Sequence, residues 1–429
     1  MTQLQDDFIS FLHKSPTPYH AANQLASIFQ SAGFVALDET QDWQLEKGGK
    51  YYFLRSDSTI VAFTLGQQSL AEGGMRICGA HTDSPCLKVK AQPELTKQEY
   101  NLLGVEVYGG ALLNPWFDRD LSLAGKVFYL DKGGKLASAL IDFKEPIAVV
   151  PSLAIHLDRE ANAKRTVNPQ THMNVLLQSS EDGFSLRDIL LNKLKEDGRA
   201  EVEEVLDYDL RFYDCQMPHR VGLKQEFIAG ARLDNLLSCY LSAKALTEVD
   251  DEVTSIVVCH DHEEVGSESE TGAGGSVMES LLERLIPENE QRHRASRQSL
   301  FLSLDNAHGI HPNYPDKHDE NHGPILNKGP VIKFDAKQRY ATSPETSSVL
   351  KKLAKQNPEL PLQSFVTRSD MRCGSTIGPM SSAKLGIKAL DVGMPTFAMH
   401  STRELSGTED LSTMYALLNR FFTSKNLWL

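Results

Sequence analysis

The sequence lacks the long apolar and basic stretches that are typical of membrane and nucleic-acid-binding proteins. Nowhere do about 18 consecutive apolar residues occur, the length that a membrane-spanning helix needs. The 57 acidic residues outnumber the 44 basic ones, and the net charge of -13 repels phosphate backbones and anionic membrane surfaces. The start of the chain has neither a basic leader nor an apolar signal core. We therefore expect a soluble, cytoplasmic protein that binds neither nucleic acids nor membranes.

Cysteine is scarce, and several familiar motifs are missing. The six cysteines form no Cys-x-x-Cys pair and mostly have apolar neighbours, so we expect reduced core residues and no disulfide framework or zinc knuckle. The absence of a His-Glu-x-x-His sequence argues against single-zinc protease chemistry. The glycine-rich loop at 272–275 lacks the Lys-Ser/Thr of a phosphate-binding P-loop.

The length of the chain and a change in its predicted secondary structure indicate two domains. A single hydrophobic core rarely serves 429 residues. Strand-like runs dominate between residues 91 and 228, including one predicted at 147–157, and helical periodicity occurs there only near 186–194. Strands and amphipathic helices alternate before and after this stretch. The sequence thus predicts an α/β domain made of residues 1–90 and 229–429, interrupted by a β-rich insertion at 91–228.

The strongest local pattern runs from Ser255 to Ser267. Its continuous β-branched residues predict a central strand that is buried on both faces. Two adjacent carboxylates, Glu263 and Glu264, follow the strand. Successive side chains of an extended segment point in opposite directions, so we expect one glutamate to bind a metal and the other to handle a proton. For an isolated Glu-Glu pair, a solvated acidic loop is the simpler interpretation.

Other potential metal ligands follow other predicted strands. His81, Asp83, Asp305 and His400 each come shortly after such a strand, and Asp234 begins a predicted helix. Each has an ordinary explanation by itself, such as a helix N-cap for Asp234 or a turn former for Asp305. Open α/β sheets, however, hold their functional groups at the carboxyl ends of their strands. The ends of several strands therefore supply one set of candidate ligands.

Together these residues have the composition of a two-metal hydrolase site. Two histidines, one bridging carboxylate and two terminal carboxylates would give each ion three protein ligands and leave room for water. Three carboxylates and one hydroxide balance two divalent ions, so Glu263 stays available as a base. Asp83 could orient the imidazole of His81. Such ligands suit zinc, cobalt and manganese alike.

Seven motifs are spread along nearly the whole chain, namely His81–Leu87, Leu233–Asn235, Asp261–Ser267, Asp305–Tyr314, Lys337–Tyr340, Asp370–Gly378 and Met399–Ser401. In this order they resemble the motifs of the aspartyl aminopeptidase family. The resemblance implies a mixed-sheet exopeptidase fold with helices on both faces and an inserted dimerisation domain. It also implies two zinc ions, removal of the N-terminal residue from peptides, and assembly into a tetrahedral dodecamer.

The resemblance further implies a metal-binding role for five residues. His81 and Asp305 would hold one ion, and Glu264 and His400 would hold the other. Asp234 would bridge the two ions.

The remaining implied roles concern catalysis and substrate binding. Glu263 would be the general base and later the proton donor to the leaving amine. His308, Lys333 and Tyr340 would contact the substrate, and His156 would reach the site of a neighbouring subunit. A cationic Lys333 would favour an acidic N-terminal residue.

Two alternatives remain open at this point. A related dizinc deacylase or carboxypeptidase would keep the same ligands but would need an anchor for a carboxylate in place of an amine. A non-catalytic assembly or cargo protein of the same fold would be expected to have lost Glu263 or a metal ligand, and the sequence retains all of them.

Overall fold

The computed structural model describes residues 2–180, 182–250 and 252–428. Within them the chain forms strands, α-helices and three single 3-10 turns at Asn114–Trp116, Glu263–Val265 and Pro315–Lys317. None of the helices described is long and apolar enough to cross a membrane. The strands are β1 (Val35–Ala36), β2 (Lys50–Arg55), β3 (Thr59–Thr64), β4 (Met75–His81), β5 (Cys86–Lys97), β6 (Tyr100–Tyr108), β7 (Leu121–Asp131), β8 (Leu136–Asp142), β9 (Val175–Ser179), β10 (Val202–Asp214), β11 (His219–Val221), β12 (Phe227–Gly230), β13 (Thr254–His260), β14 (Leu300–Leu304), β15 (Ala307–His308), β16 (Val331–Phe334), β17 (Gln363–Val366), β18 (Lys388–Gly393), β19 (Pro395–Phe397) and β20 (Glu404–Gly407).

The helices range from single turns to about four turns. They are α1 (Thr2–His13), α2 (Pro18–Ser31), α3 (Leu70–Gly73), α4 (Ala161–Lys164), α5 (Pro169–His172), α6 (Leu186–Glu196), α7 (Leu233–Thr247), α8 (Val277–Leu285), α9 (Asn289–Gln298), α10 (Pro344–Ala354), α11 (Ile377–Leu385) and α12 (Thr408–Phe422).

The chain divides into two compact units. The first comprises Met1–Asp83, Pro218–Met399 and Glu404–Leu429, and the second comprises Ser84–Met217 and His400–Arg403. The main segment of the second unit, Ser84–Met217, starts and ends slightly earlier in the chain than the insertion predicted at 91–228. The unit also includes the short segment His400–Arg403. The reason is strand pairing: β5 already belongs to the sheet of the second unit, whereas β12 pairs with β20 in the first.

The first unit is built on a nine-stranded sheet with the order β1-β2-β3-β13-β4-β14-β18-β16-β17. The four central strands β13, β4, β14 and β18 are parallel to one another. Both β3 and β16 run antiparallel to their central neighbours, so the sheet is mixed. Because parallel strands end at the same edge, the residues after these four strands lie along one edge of the sheet.

Helices cover both faces of this sheet. Along β13, Val257 and Cys259 pack into a core with α1, α2, α7, α10 and α12, while Ile256 and Val258 pack into a second core with α8, α9 and α11. Every residue of β13 is buried. The predicted central strand and the predicted helices on both faces are confirmed, because a strand between two helical layers buries both sets of alternating side chains.

Local sequence signals fix the ends and faces of these helices. Pro344 occupies the first turn of α10, and Ser343 Oγ accepts a hydrogen bond from the Thr346 backbone N–H at 3.2 Å in a capping box. In α12, Leu411 and Leu418 are two helical turns apart, so they lie on the same face of the helix and pack into the core. Burial of one such leucine contributes roughly 1.5–3 kcal/mol.

The second unit has its own antiparallel sheet and its own core. The strand order is β8-β7-β10-β5-β6-β9, and α6 packs Leu186, Leu190 and Leu194 against it. The predicted strand at 147–157 is wrong. Its first residues form only isolated β-bridges, and the rest is an irregular segment ending in a turn. Pro151 has no backbone N–H to donate to a ladder, which stops the pairing there.

Candidate metal centre

His81 is the last residue of β4 and is almost completely buried. Its Nε2 lies 3.5 Å from Asp234 Oδ1, 3.6 Å from Asp305 Oδ1 and 4.0 Å from Glu263 Oε2. Burial alone would lower the pKa of His81, but Asp234, Asp305 and Asp83 together hold it well above its usual range. One imidazole surrounded by several carboxylates is a donor set that fits a divalent cation.

Asp234 reaches the site from the beginning of α7. Its backbone is not helical, with φ -83° and ψ 107°, and the helix cap is Arg232 in the left-handed region. Because Arg232 is the residue that caps α7, Asp234 is not the N-cap that the simpler explanation required. Its backbone N–H donates to Glu404 Oε2 at 3.0 Å, and its carboxylate is buried beside His81.

Asp305 directly follows β14. Its backbone N–H donates to the Val392 carbonyl oxygen at 3.2 Å, and its Oδ2 accepts from Lys333 Nζ at 3.2 Å. A Cβ at Gly393 would lie 1.7 Å from the Asp305 carbonyl oxygen, so only glycine allows this approach. His81, Asp234 and Asp305 each offer a ligand atom within 4.8 Å of the others.

Glu263 and Glu264 lie in a 3-10 turn and not in an extended segment. The strand β13 ends at His260, His262 is left-handed with φ 64°, and the turn Glu263–Val265 follows. The expectation that the two side chains point in opposite directions is therefore wrong. Both offer an oxygen within 4.8 Å of a His81 ring nitrogen and of each other.

The surroundings of Glu263 affect its affinity for protons. Burial raises the pKa of Glu263 to about 7, although the nearby His81 opposes the shift, and the negative charges of Asp305, Asp83 and Asp234 add to it. A carboxylate with a pKa near 7 can accept and release a proton at neutral pH.

Asp83 connects β4 to the turn that carries the two glutamates. Its side chain is fully buried. Its Oδ1 lies 3.3 Å from His81 Nδ1, and its two oxygens accept the backbone N–H groups of Glu263 and Glu264 at 3.1 Å each. One carboxylate thus contacts the imidazole and holds the 3-10 turn in place.

Three of the predicted substrate residues lie together in the first unit. Lys333 in β16 is buried, and its Nζ lies 5.0 Å from the centre of the Tyr340 ring. Burial and a hydrogen bond with Cys373 raise the pKa of Tyr340 well above its usual range. The ring of Phe365 meets His308 edge-on at 5.7 Å and Tyr340 at 6.5 Å.

His156 and His400 both belong to the second unit. His156 is exposed in the turn at 155–157. His400 has a positive φ of 68°, and its Nδ1 lies 3.1 Å from the Gly110 carbonyl oxygen.

Several supporting residues escaped prediction from the sequence. Glu404 accepts the Asp234 N–H, Cys239 Sγ donates to the His81 carbonyl oxygen at 3.0 Å, and Phe365 contacts two predicted substrate residues. Asn235 Nδ2 donates to the carbonyl oxygen at the end of β14 at 2.7 Å. Of these supporting residues, only Asn235 could have been found from the sequence, because it adjoins Asp234 in the Leu-Asp-Asn motif.

The chain matches the model of the Aminopeptidase I zinc metalloprotease (M18) family over residues 11–422. It belongs to the M18 family. The predicted family and enzyme class are thereby confirmed: the protein is a zinc metalloaminopeptidase, which is a hydrolase. The family match also argues against the deacylase, carboxypeptidase and cargo-protein alternatives.

Curated relatives and solved structures agree with this assignment. The chain is 53% identical over 427 residues to a "Probable M18 family aminopeptidase 2" of Stutzerimonas stutzeri, with 99% of each chain covered. It is 51% identical over 425 residues to the protein of the same name from Azotobacter vinelandii, again with 99% of each covered.

Among solved structures, the chain is similar to one in the Ape4 and Nbr1 complex, with a TM-score of 0.95, 35% identity, and 98% of this chain and 85% of that chain covered. It is also similar to the S. cerevisiae mApe1 dodecamer, with a TM-score of 0.85, 30% identity, and 97% and 95% of the two chains covered.

Proposed function

We propose that this M18 aminopeptidase removes acidic N-terminal residues from peptides, with two divalent metal ions in each subunit and Glu263 as the general base. The proposal rests on one observation. The carboxylates of Asp234, Asp305 and Glu263 surround Nε2 of His81, and the carboxylate of Asp83 lies beside Nδ1.

The metal ligands are assigned from this geometry and from the family resemblance. His81 and Asp305 would hold one ion, because each offers a ligand atom close to the other and to Asp234. Glu264 would hold the second ion with His400, as the family resemblance implies. Asp234 would bridge the ions. Histidine nitrogen and carboxylate oxygen donors fit zinc.

Bound zinc ions would supply Lewis-acid activation of water and of the peptide carbonyl group. The protein groups then move the proton. Glu263, which lies beside His81 and Asp305, would accept a proton from the attacking water and pass it to the leaving amine. Asp83 would hold the His81 imidazole and the turn Glu263–Val265 in fixed positions during this transfer.

The preference for acidic residues rests on Lys333. An ammonium group has three N–H donors, and the described contacts of Lys333 Nζ use two of them, to Asp305 Oδ2 and to the Asn306 carbonyl oxygen. The third can donate to a carboxylate of the substrate. His308 and Tyr340 around Phe365 would form further parts of the substrate pocket.

We also propose assembly into a homododecamer in which His156 reaches the site of a neighbouring subunit. Leu153, Ile155 and Leu157 on either side of His156 are exposed, as expected of residues that become covered on association. The chain is similar to a structure described as the mApe1 dodecamer. A cytoplasmic location stays a prediction from the sequence.

Elemental analysis combined with a panel of aminoacyl 4-nitroanilides tests the proposal. We expect about two zinc ions per chain and faster turnover of aspartyl and glutamyl substrates than of alanyl and leucyl substrates. Chelation should abolish turnover, and added zinc should restore it. Full activity in protein shown to be free of metal would overturn the mechanism. Equal turnover of all substrates would overturn the acidic preference alone.

A further inference from the structure

Asp391 is a fully buried carboxylate in β18, the strand next to the one that carries Lys333. The two residues lie directly opposite each other, because β16 and β18 are antiparallel and their register pairs Lys333 with Asp391. Opposite residues of an antiparallel pair place their side chains on the same face of the sheet. A buried carboxylate therefore shares a face with the lysine that is proposed to bind the acidic side chain of the substrate.

The negative charge of Asp391 acts on Lys333. Burial raises the pKa of Asp391, and the positive charge of Lys333 is the largest influence that opposes this shift. The Lys333 ammonium group donates to Asp305 Oδ2 and to the Asn306 carbonyl oxygen. Asp305 would share its charge with a metal ion, and the carbonyl group is neutral. Asp391 thus supplies Lys333 with a negative charge that is not assigned to a metal ion.

The same residue holds the segment that carries Tyr340. Asp391 Oδ2 accepts the backbone N–H of Ala341, the residue after Tyr340, at 2.6 Å. The backbone N–H of Asp391 donates to Thr342 Oγ1 at 2.9 Å. These two hydrogen bonds attach residues 341 and 342 to β18. They thereby fix the position of the Tyr340 ring, whose centre lies 5.0 Å from Lys333 Nζ.

A second segment is attached to the carboxylate of Asp391. Its Oδ1 accepts a hydrogen bond from the hydroxyl group of Thr376, the N-cap residue of α11. Three residues earlier in the chain, Cys373 forms a hydrogen bond with Tyr340. A Cβ at Gly378 would lie 2.7 Å from Asp391 Oδ2, so this glycine leaves the space that the carboxylate occupies. Both partners of the hydrogen bond between Tyr340 and Cys373 therefore lie in segments that Asp391 holds.

We infer that Asp391 is the positioning residue of the pocket that receives the acidic side chain of the substrate. It acts through Lys333 and Tyr340, whose relative position it fixes, and it does not touch the substrate. The inference rests on the proposed acidic preference and extends it to the residue that orients the substrate-binding groups. A carboxylate suits this role, because it attracts the ammonium group and accepts a hydrogen bond on each oxygen.

Three variants and a matched control test the role of Asp391. Asp391→Asn keeps the size of the side chain but removes the charge opposite Lys333. Thr376→Val removes the hydroxyl group that donates to Asp391 and keeps the shape of the side chain, whereas Thr376→Ser keeps the hydroxyl group. Asp410→Asn is the control, since Asp410 is equally buried and also accepts backbone N–H groups. The measured quantity is the ratio of kcat/KM for aspartyl over alanyl 4-nitroanilides with the zinc-loaded protein.

We expect this ratio to fall at least about fivefold in Asp391→Asn and in Thr376→Val, the effect of losing one interaction that holds the pocket. Thr376→Ser should keep the wild-type ratio, and Asp410→Asn should change the stability without changing the ratio. In a protein that already carries Lys333→Gln, Asp391→Asn should lower the ratio no further, because residues that act together give non-additive effects.

An unchanged or raised ratio in Asp391→Asn would overturn the inference alone, provided that the wild type prefers the aspartyl substrate. An equal fall in Asp410→Asn would also overturn it, because the loss would then follow from general destabilisation. Should Asp391→Asn not fold, equal ratios in Thr376→Val and Thr376→Ser would count against the inference in the same way. Equal turnover of both substrates by the wild type would instead overturn the acidic preference and the inference with it.

Discussion

The Oδ1 atom of Asp83 lies 3.3 Å from Nδ1 of His81, on the opposite side of the imidazole from the Nε2 that faces Asp234. The same carboxylate accepts the backbone N–H groups of Glu263 and Glu264. A buried carboxylate with these contacts both orients the imidazole of His81 and fixes the position of the proposed base.

Asp83→Asn should weaken both functions while preserving the size of the side chain. Each oxygen of Asp83 accepts one backbone N–H group, so replacing one oxygen by the amide NH2 leaves one of these groups without its acceptor. The amide also lacks the negative charge that attracts a proton on the His81 imidazole. We expect zinc affinity or kcat to fall about 10- to 100-fold. Zinc titration and steady-state kinetics measure these two quantities. Asp38→Asn in an exposed turn serves as the control, and equal behaviour of the two variants would contradict the role of Asp83.

Glu263→Gln and Glu264→Gln should affect different properties. If Glu263 is the base, Glu263→Gln should lower kcat by about 10²–10⁴-fold with normal zinc content. Glu264→Gln removes a proposed ligand carboxylate, so zinc content and thermal stability should fall together. Zinc stoichiometry and kcat are measured side by side, with exposed Glu268→Gln as the control. Wild-type turnover in Glu263→Gln, or loss of zinc from it, would show that the base is wrongly assigned.

Lys333→Gln should reduce the preference for acidic substrates. The substitution removes the cation that would donate to the substrate carboxylate, an interaction of the charged type worth about 1.5–3 kcal/mol. The ratio of kcat/KM for aspartyl over alanyl substrates should therefore fall at least about tenfold. Lys333 also contacts Asp305, so a uniform loss with both substrates is expected in addition. An unchanged ratio would place the acidic specificity elsewhere.

Asp410 should make the free energy of unfolding depend on pH between about 4 and 6. Burial raises the pKa of Asp410 to about 6 from 3.8, although the N–H groups of Asn327 and Gly329 oppose the shift. The folded protein therefore binds this proton more tightly than the unfolded chain does. The stabilising contribution of protonated Asp410 to the free energy of unfolding is fully present below pH 3.8 and is lost as the pH rises through 6. The Tm of the wild type should therefore fall relative to that of Asp410→Asn as the pH is raised from 4 to 7. A constant difference would contradict the raised pKa.

Much of the centre followed from the sequence because its signals are local. A continuous β-branched run marks a strand buried between two layers, and polar residues after several such strands must meet when the strands are parallel. The types of residue at the ends of β4, β13 and β14 thus indicated a metal site before any contact was known. The order of the motifs indicated the family.

Other features depend on contacts between distant parts of the chain. Glu263 and Glu264 leave the extended conformation because Asp83, about 180 residues earlier, accepts their N–H groups. This contact exists because β4 and β13 are parallel and place His81 opposite His260. The sequence predicted a strand at 147–157, but Pro151 interrupts the pairing. An arginine is expected at the surface from the sequence alone, but α3 and the segment after α12 enclose Arg76 in the folded protein. Periodicity determines which segments are buried and where strands end, whereas register and long-range hydrogen bonds, which only the tertiary structure sets, decide which groups meet.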